Sequence, residues 1–169
     1  MLFRYLFFVG SIGGFFIELF YRRLVLKKWV KPGVFKGFYL PLYGIGLVIC
    51  YLCYMLEWHI IFKVFLTVIL LTCIELICGV IFIKKLKIDL WNYSNEYLNY
   101  KGLICIKFSF YWLLLSLISF MFFKNINICI NNLLIFFIGV FEIILAVDVV
   151  LFFASKIITN KKNNFHLDL

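Results

Sequence analysis

Five apolar stretches dominate this chain, and each is long enough to cross roughly 30 Å of hydrocarbon at 1.5 Å of rise per residue. They cover residues 2–21, 38–56, 60–83, 103–123 and 133–154. Two-thirds of the 169 residues are hydrophobic and only 15% are charged, with a mean hydropathy of +1.08. That is more apolar surface than one soluble core of this length can bury, so the bilayer is the solvent to expect. Nothing alternates with the period of two that a transmembrane barrel needs. The expected fold is therefore an all-α integral membrane protein, a bundle of five transmembrane helices. It has one domain over 1–156, followed by a short polar cytoplasmic tail, 157–169.

The net charge of +9 does not point to nucleic acid, because the cations cluster in a membrane pattern. Arg22, Arg23, Lys27, Lys28, Lys31 and Lys36 occupy the first connection, Lys84, Lys85, Lys87 and Lys101 the third, and Lys156, Lys161 and Lys162 the end of the chain. With five crossings all three lie on one side. The positive-inside rule then puts the N-terminus outside and the C-terminus in the cytoplasm of a multi-pass cell-membrane protein. The start, MLFRYLFFVGSIGGFF, has the apolar run of a signal peptide but no A-x-A cleavage site, so it reads as a retained first helix. A glycosylation sequon at Asn92 falls on the cytoplasmic side and is set aside.

Catalytic and metal chemistry find little support. Cys50 and Cys53 form a lone C-x-x-C inside an apolar span and read as small packing residues. His59 and His166 lie in different connections and cannot readily share one ion. No H-E-x-x-H, G-x-S-x-G or P-loop sequence occurs. The chain is expected to be no enzyme, to carry no cofactor or metal, and to have no ATPase motor of its own.

Function then has to lie in polar groups placed where hydrocarbon should be. An ionisable side chain at depth costs at least a few kcal/mol unless it is paired, protonated or hydrated, which makes Glu18, Glu75, Glu142 and Asp148 candidates. Counted along the helices from the cytoplasmic cations, they lie about 6, 13, 21 and 12 Å deep respectively. Lys107, about five residues into the fourth helix, could reach the level of Glu75 and Asp148 and pair with them. Glu142 and Asp148 are six residues apart, about 120° around one helix, and cannot both face one narrow seam. Gly10, Gly14 and Glu18 recur every four residues, a small-residue face along which a second helix can approach closely. Ile-Glu-Leu precedes a basic exit twice, at Glu18 and at Glu75, a weak sign of an internal repeat.

Two further stretches carry a resemblance. GGFFIELFYRRLVLKKWVKPGVFKGFYLPLYGIG, residues 13–46, and LWNYSNEYLNYKGLICIKFSFYW, residues 90–112, are similar to the two halves of the signature of the CmpB-like ABC-transporter permease family, also called type IV. There a glutamate ends helix one, an Arg-Gly or Lys-Gly follows, and Pro-Ile-Tyr-Gly-x-Gly opens helix two. A Trp-Asp-Tyr-Ser loop precedes a Trp inside helix four. The matching residues here are Glu18, Gly37, Pro41, Tyr43, Gly44 and Gly46, then Trp91, Asn92, Tyr93, Ser94, Asn99, Gly102 and Trp112. Asp148 and Ser155 resemble the acid and serine of the last helix. Asn92 stands where the family has Asp, the stretch from Gly37 to Pro41 is shortened, and Leu113 replaces a glycine. The resemblance implies a permease-like protein. The expected partners are the bilayer, a separate ATPase or other membrane subunit, and a second copy of the chain. The alternative is a noncatalytic scaffold or accessory subunit that docks a partner through its cytoplasmic loops, with a membrane-embedded lipid enzyme ranked third. On the residues alone, the aromatic rings of 90–102 suit the headgroup layer and its asparagines suit a turning backbone. The Pro41-to-Gly46 segment can break helix two and open a vestibule.

Overall fold

The computed structural model describes residues 1–88, 90–125 and 131–165, with side chains described to 124 in the second segment and to 156 in the third. His166 and the side chains of Lys161 and Lys162 lie outside the described residues. The chain folds as helices α1 (Leu2–Leu26), α2 (Pro41–Tyr54), α3 (Ile60–Gly79), α4 (Ile106–Asn125) and α5 (Asn132–Phe165). α3 runs on without interruption into a π-helical turn, Val80–Lys85.

Four of these are long and apolar enough to cross a membrane: α1, α3 with its π turn, α4, and α5 as far as Lys156. At most 22% of the residues in the apolar part of any of these helices are buried, and many others are exposed. Their exposed faces carry residues such as Phe62, Phe65, Leu133, Phe136 and Val150, which only hydrocarbon suits. The protein is a helical, multi-pass membrane protein.

The expected second span, 38–56, is corrected to α2, a shorter apolar helix of 14 residues. Leu40 is extended, at φ −128° and ψ 100°. Pro41 disfavours helical geometry in the residue before it and suits the first helical position. The helix therefore begins three residues late. The all-α expectation needs one amendment too. Asn99–Tyr100 (β1) pairs antiparallel with Ile104–Cys105 (β2), in the register Asn99 to Cys105 and Tyr100 to Ile104. This ladder takes up residues expected to open helix four.

α1 and α2 pack backbone to backbone. A Cβ on Gly14 would fall 2.1 Å from Tyr43 Cβ, and one on Gly44 would fall 2.7 Å from the Phe7 carbonyl oxygen. The expected small-residue face of Gly10 and Gly14 is thus filled by the chain's own second helix. α2, α3 and α4 share a core of Cys50, Cys53, Val64, Leu71, Trp112 and Phe120. Gly46 admits Leu71, whose Cδ2 would lie 3.3 Å from a Cβ there. α5 lies against α1 through Phe141, which meets the rings of Phe7 and Phe8.

Candidate functional site

The segment Leu90–Cys105 is a built structure, and its polar residues are spent on building it. Asn92 Oδ1 accepts from the Ser94 backbone N–H at 2.9 Å and from the Ser94 hydroxyl at 2.6 Å, an Asx turn. Asn99 donates to the carbonyls of Ser94 and Glu96 and accepts from the Gly102 N–H. Gly102 sits at φ +71°, where a Cβ would meet the Ser94 hydroxyl at 2.7 Å. Trp91 donates its indole N–H to the Leu103 carbonyl at 2.8 Å. What this turn takes from Asn92 is an acceptor oxygen.

From this hairpin Tyr93 points inward to Glu75. The Tyr93 hydroxyl donates to Glu75 Oε1 at 3.0 Å, while Trp112 Nε1 of α4 donates to Glu75 Oε2 at 2.8 Å. Glu75 is 3% exposed. Both its donors are neutral. Burial and the adjoining carboxylate push the Tyr93 phenol well above its ordinary value, so it stays a donor. Glu18 lies at the end of α1, where it accepts from Arg22 Nε at 3.0 Å and from the Tyr43 hydroxyl at 3.2 Å. Arg22 also donates to the Leu90 carbonyl at 3.1 Å, which ties α1 to the hairpin. Tyr43 and Trp112 rings meet at 5.3 Å.

Glu18, Tyr43, Glu75, Trp91, Tyr93 and Trp112 all line one cavity of about 600 Å³. Its remaining walls are largely apolar, drawn from α2, α4, α5 and the first connection. Both Ile-Glu-Leu glutamates therefore reach one chamber, from two different helices.

The other sequence candidates lie elsewhere. Lys107 does not join Glu75 and Asp148 as expected. Its ammonium pairs with Glu96 of the hairpin at 2.8 Å. Asp148 accepts from the Gly37 N–H at 3.0 Å and from the Tyr39 hydroxyl, tying the first connection to α5. Glu142 takes a two-point contact from Arg4, at 2.7 and 2.6 Å. Ser155 donates to the Phe152 carbonyl within its own helix. Two contributors went unread in the sequence, Tyr39 and Arg4. Arg4 had a signal, since the depth count puts Glu142 farthest from the clustered basic segments and so toward the end that carries Arg4. Tyr39 had none.

No curated protein and no solved structure matches the chain. A family model described as "Putative ABC-transporter type IV" does match, over residues 5–159. Glu18, the start of α2, the hairpin, Trp112 and Asp148 all fall within that stretch, and the chain belongs to this family.

Proposed function

We propose that the chain is the permease-like, membrane-embedded subunit of a transport system and that the cavity is its substrate site. One observation carries this reading: Glu18, Tyr43, Trp91, Tyr93 and Trp112, contributed by α1, α2, the hairpin and α4, line one cavity with Glu75. A volume of about 600 Å³ with apolar walls and a few convergent polar groups has the character of a small-molecule site. The chain does no chemistry itself and takes its energy from a separate ATPase.

The orientation follows the charges, with the N-terminus outside and the C-terminus in the cytoplasm of the cell membrane. Three contacts support the grouping of the basic segments at one end: Arg22 with Leu90, Lys156 with Leu86, and Gly37 with Asp148. The hairpin then faces the cytoplasm. A second reading, an accessory subunit that docks a partner, draws on the exposed Tyr97, Leu98 and Tyr100 at the hairpin.

A cavity-filling substitution separates the two. Cys78 lines the cavity, and Cys78→Trp should reproduce the solute profile of a deletion strain while the protein stays in the membrane at wild-type level. A wild-type profile from that variant sinks the transport reading and leaves the docking one.

A further inference from the structure

Among the described residues the charged side chains that line the cavity are Glu18, Arg22 and Glu75, with formal charges that sum to −1 (−1, +1 and −1). Among the described residues Arg22 pairs with Glu18 and not with Glu75. Its Nε is held by Glu18 and its Nη2 by the Leu90 carbonyl. Lys107 is taken by Glu96. Among the described residues Glu75 has no ion-pair partner. It is a buried carboxylate held by a phenol and an indole, and the indole can only donate. A buried charge without a counter-charge is costly, and more so within a bilayer.

The walls say what kind of counter-charge fits. A small hard metal ion wants six or more oxygens around it, and this cavity offers mostly carbon. An anion would meet net negative charge. A neutral apolar molecule would leave only a proton to neutralise Glu75. Aromatic faces, however, attract a positive centre by their quadrupoles. Here Tyr43 and Trp112 lie 5.3 Å apart, and Trp91 and Tyr93 are stacked with 26° between their planes.

Resting on the reading of the cavity as the substrate site, we propose that it takes a lipophilic organic cation. One ammonium-like centre lies against Glu75 and these rings, and the apolar body lies along Leu114, Ile118 and Leu145. A free hydrophobic amine and the amine end of a membrane lipid share that chemistry.

The test uses two ions of closely similar size and opposite charge, tetraphenylphosphonium and tetraphenylborate. Full-length protein in detergent is titrated with each, by equilibrium dialysis and by quenching of the tryptophan fluorescence to which Trp91 and Trp112 contribute. The phosphonium should bind saturably, at least about tenfold more tightly than the borate, and Glu75→Gln should weaken it by about tenfold or more. Equal binding of the two ions overturns the proposal, as does no saturable binding of the phosphonium. So does an unchanged affinity in Glu75→Gln. If that variant does not fold, the two-ion comparison on the wild type decides alone. Extraction of the purified protein before and after phosphonium addition identifies the source: a displaced aminophospholipid indicates a lipid amine, and binding without displacement indicates a free cation. Failed charge selection alongside a deletion-like Cys78→Trp strain overturns the ligand class and leaves the transport reading standing.

Discussion

The α1–α2 hairpin and the long α5 are held in this molecule by opposite means. α2 lies so close to α1 that a single added methyl at Gly14 would overlap Tyr43. α5 meets its neighbours through three polar ties, Glu142 to Arg4, Asp148 to Gly37 and Tyr39, and Lys156 to the Leu86 carbonyl, around a modest apolar contact at Ile138 and Phe141. Apolar burial drives little association when the solvent is itself hydrocarbon, so helices in lipid rely on close packing or on hydrogen bonds. This chain uses one method for each pair. The close seam admits a single arrangement, whereas polar ties can be exchanged for others.

The largest effect should come from breaking the seam. Gly14→Leu should destabilise by about 3 kcal/mol or more, because backbone as well as side chain must move. Gly13, one residue away, would place a Cβ in open space. Gly13→Leu should stay within about 0.5 kcal/mol of wild type. Equal unfolding midpoints for the two variants in detergent would show that the seam is not tight.

Next come the ties of α5. Arg4→Met should leave the Glu142 carboxylate uncompensated and free α5 to protease, and adding Glu142→Gln should restore most of the protection. A double variant as labile as the single one would show that the pair attracts nothing.

A smaller effect belongs to Tyr39. Burial and the Asp148 carboxylate push its phenol above the ordinary value of about 10. A raised value in the folded state means that this stabilisation is fully present below pH about 10 and is lost as pH rises through the higher folded value. The Gly37 amide should therefore keep a constant hydrogen-exchange protection factor from roughly pH 6 to 9 and lose it only under strong alkali. Tyr39→Phe should lower the protection at every pH. Loss of wild-type protection near pH 8 would contradict the contact.

Asn92→Asp should do least, within about 0.5 kcal/mol, since the acceptor oxygen of the turn remains. A large gain in activity from this change would mean that the family's acid does more than turn the chain.

Much of this comparison could be read before any coordinates. The spacing of Gly10, Gly14 and Glu18 named the face of α1 that meets α2, and the paired Ile-Glu-Leu motifs named both acids of the cavity. Lys107 shows where such reading stops. Counting residues along an axis gives height but not the direction in which a side chain leaves its helix, and Lys107 leaves toward Glu96. Hydropathy likewise counts apolar residues and overlooks what Pro41 does to Leu40, so α2 came out too long. The Tyr39–Asp148 contact joins residues 109 apart, and no local pattern encodes it.

The length of α2 has a mechanical consequence. Fourteen residues rise about 21 Å, against roughly 30 Å of hydrocarbon. If α2 crosses the bilayer, the membrane around so short a helix must thin, or the flanking residues must stretch to the headgroups, at fractions of a kcal/mol per ångström of mismatch. The helix under that load would carry Tyr43 and Ile45 of the cavity wall, and membrane thickness would then press on the cavity itself. We predict tighter phosphonium binding in bilayers of 14-carbon lipids than of 22-carbon lipids, and equal affinity in both would show that α2 bears no such load.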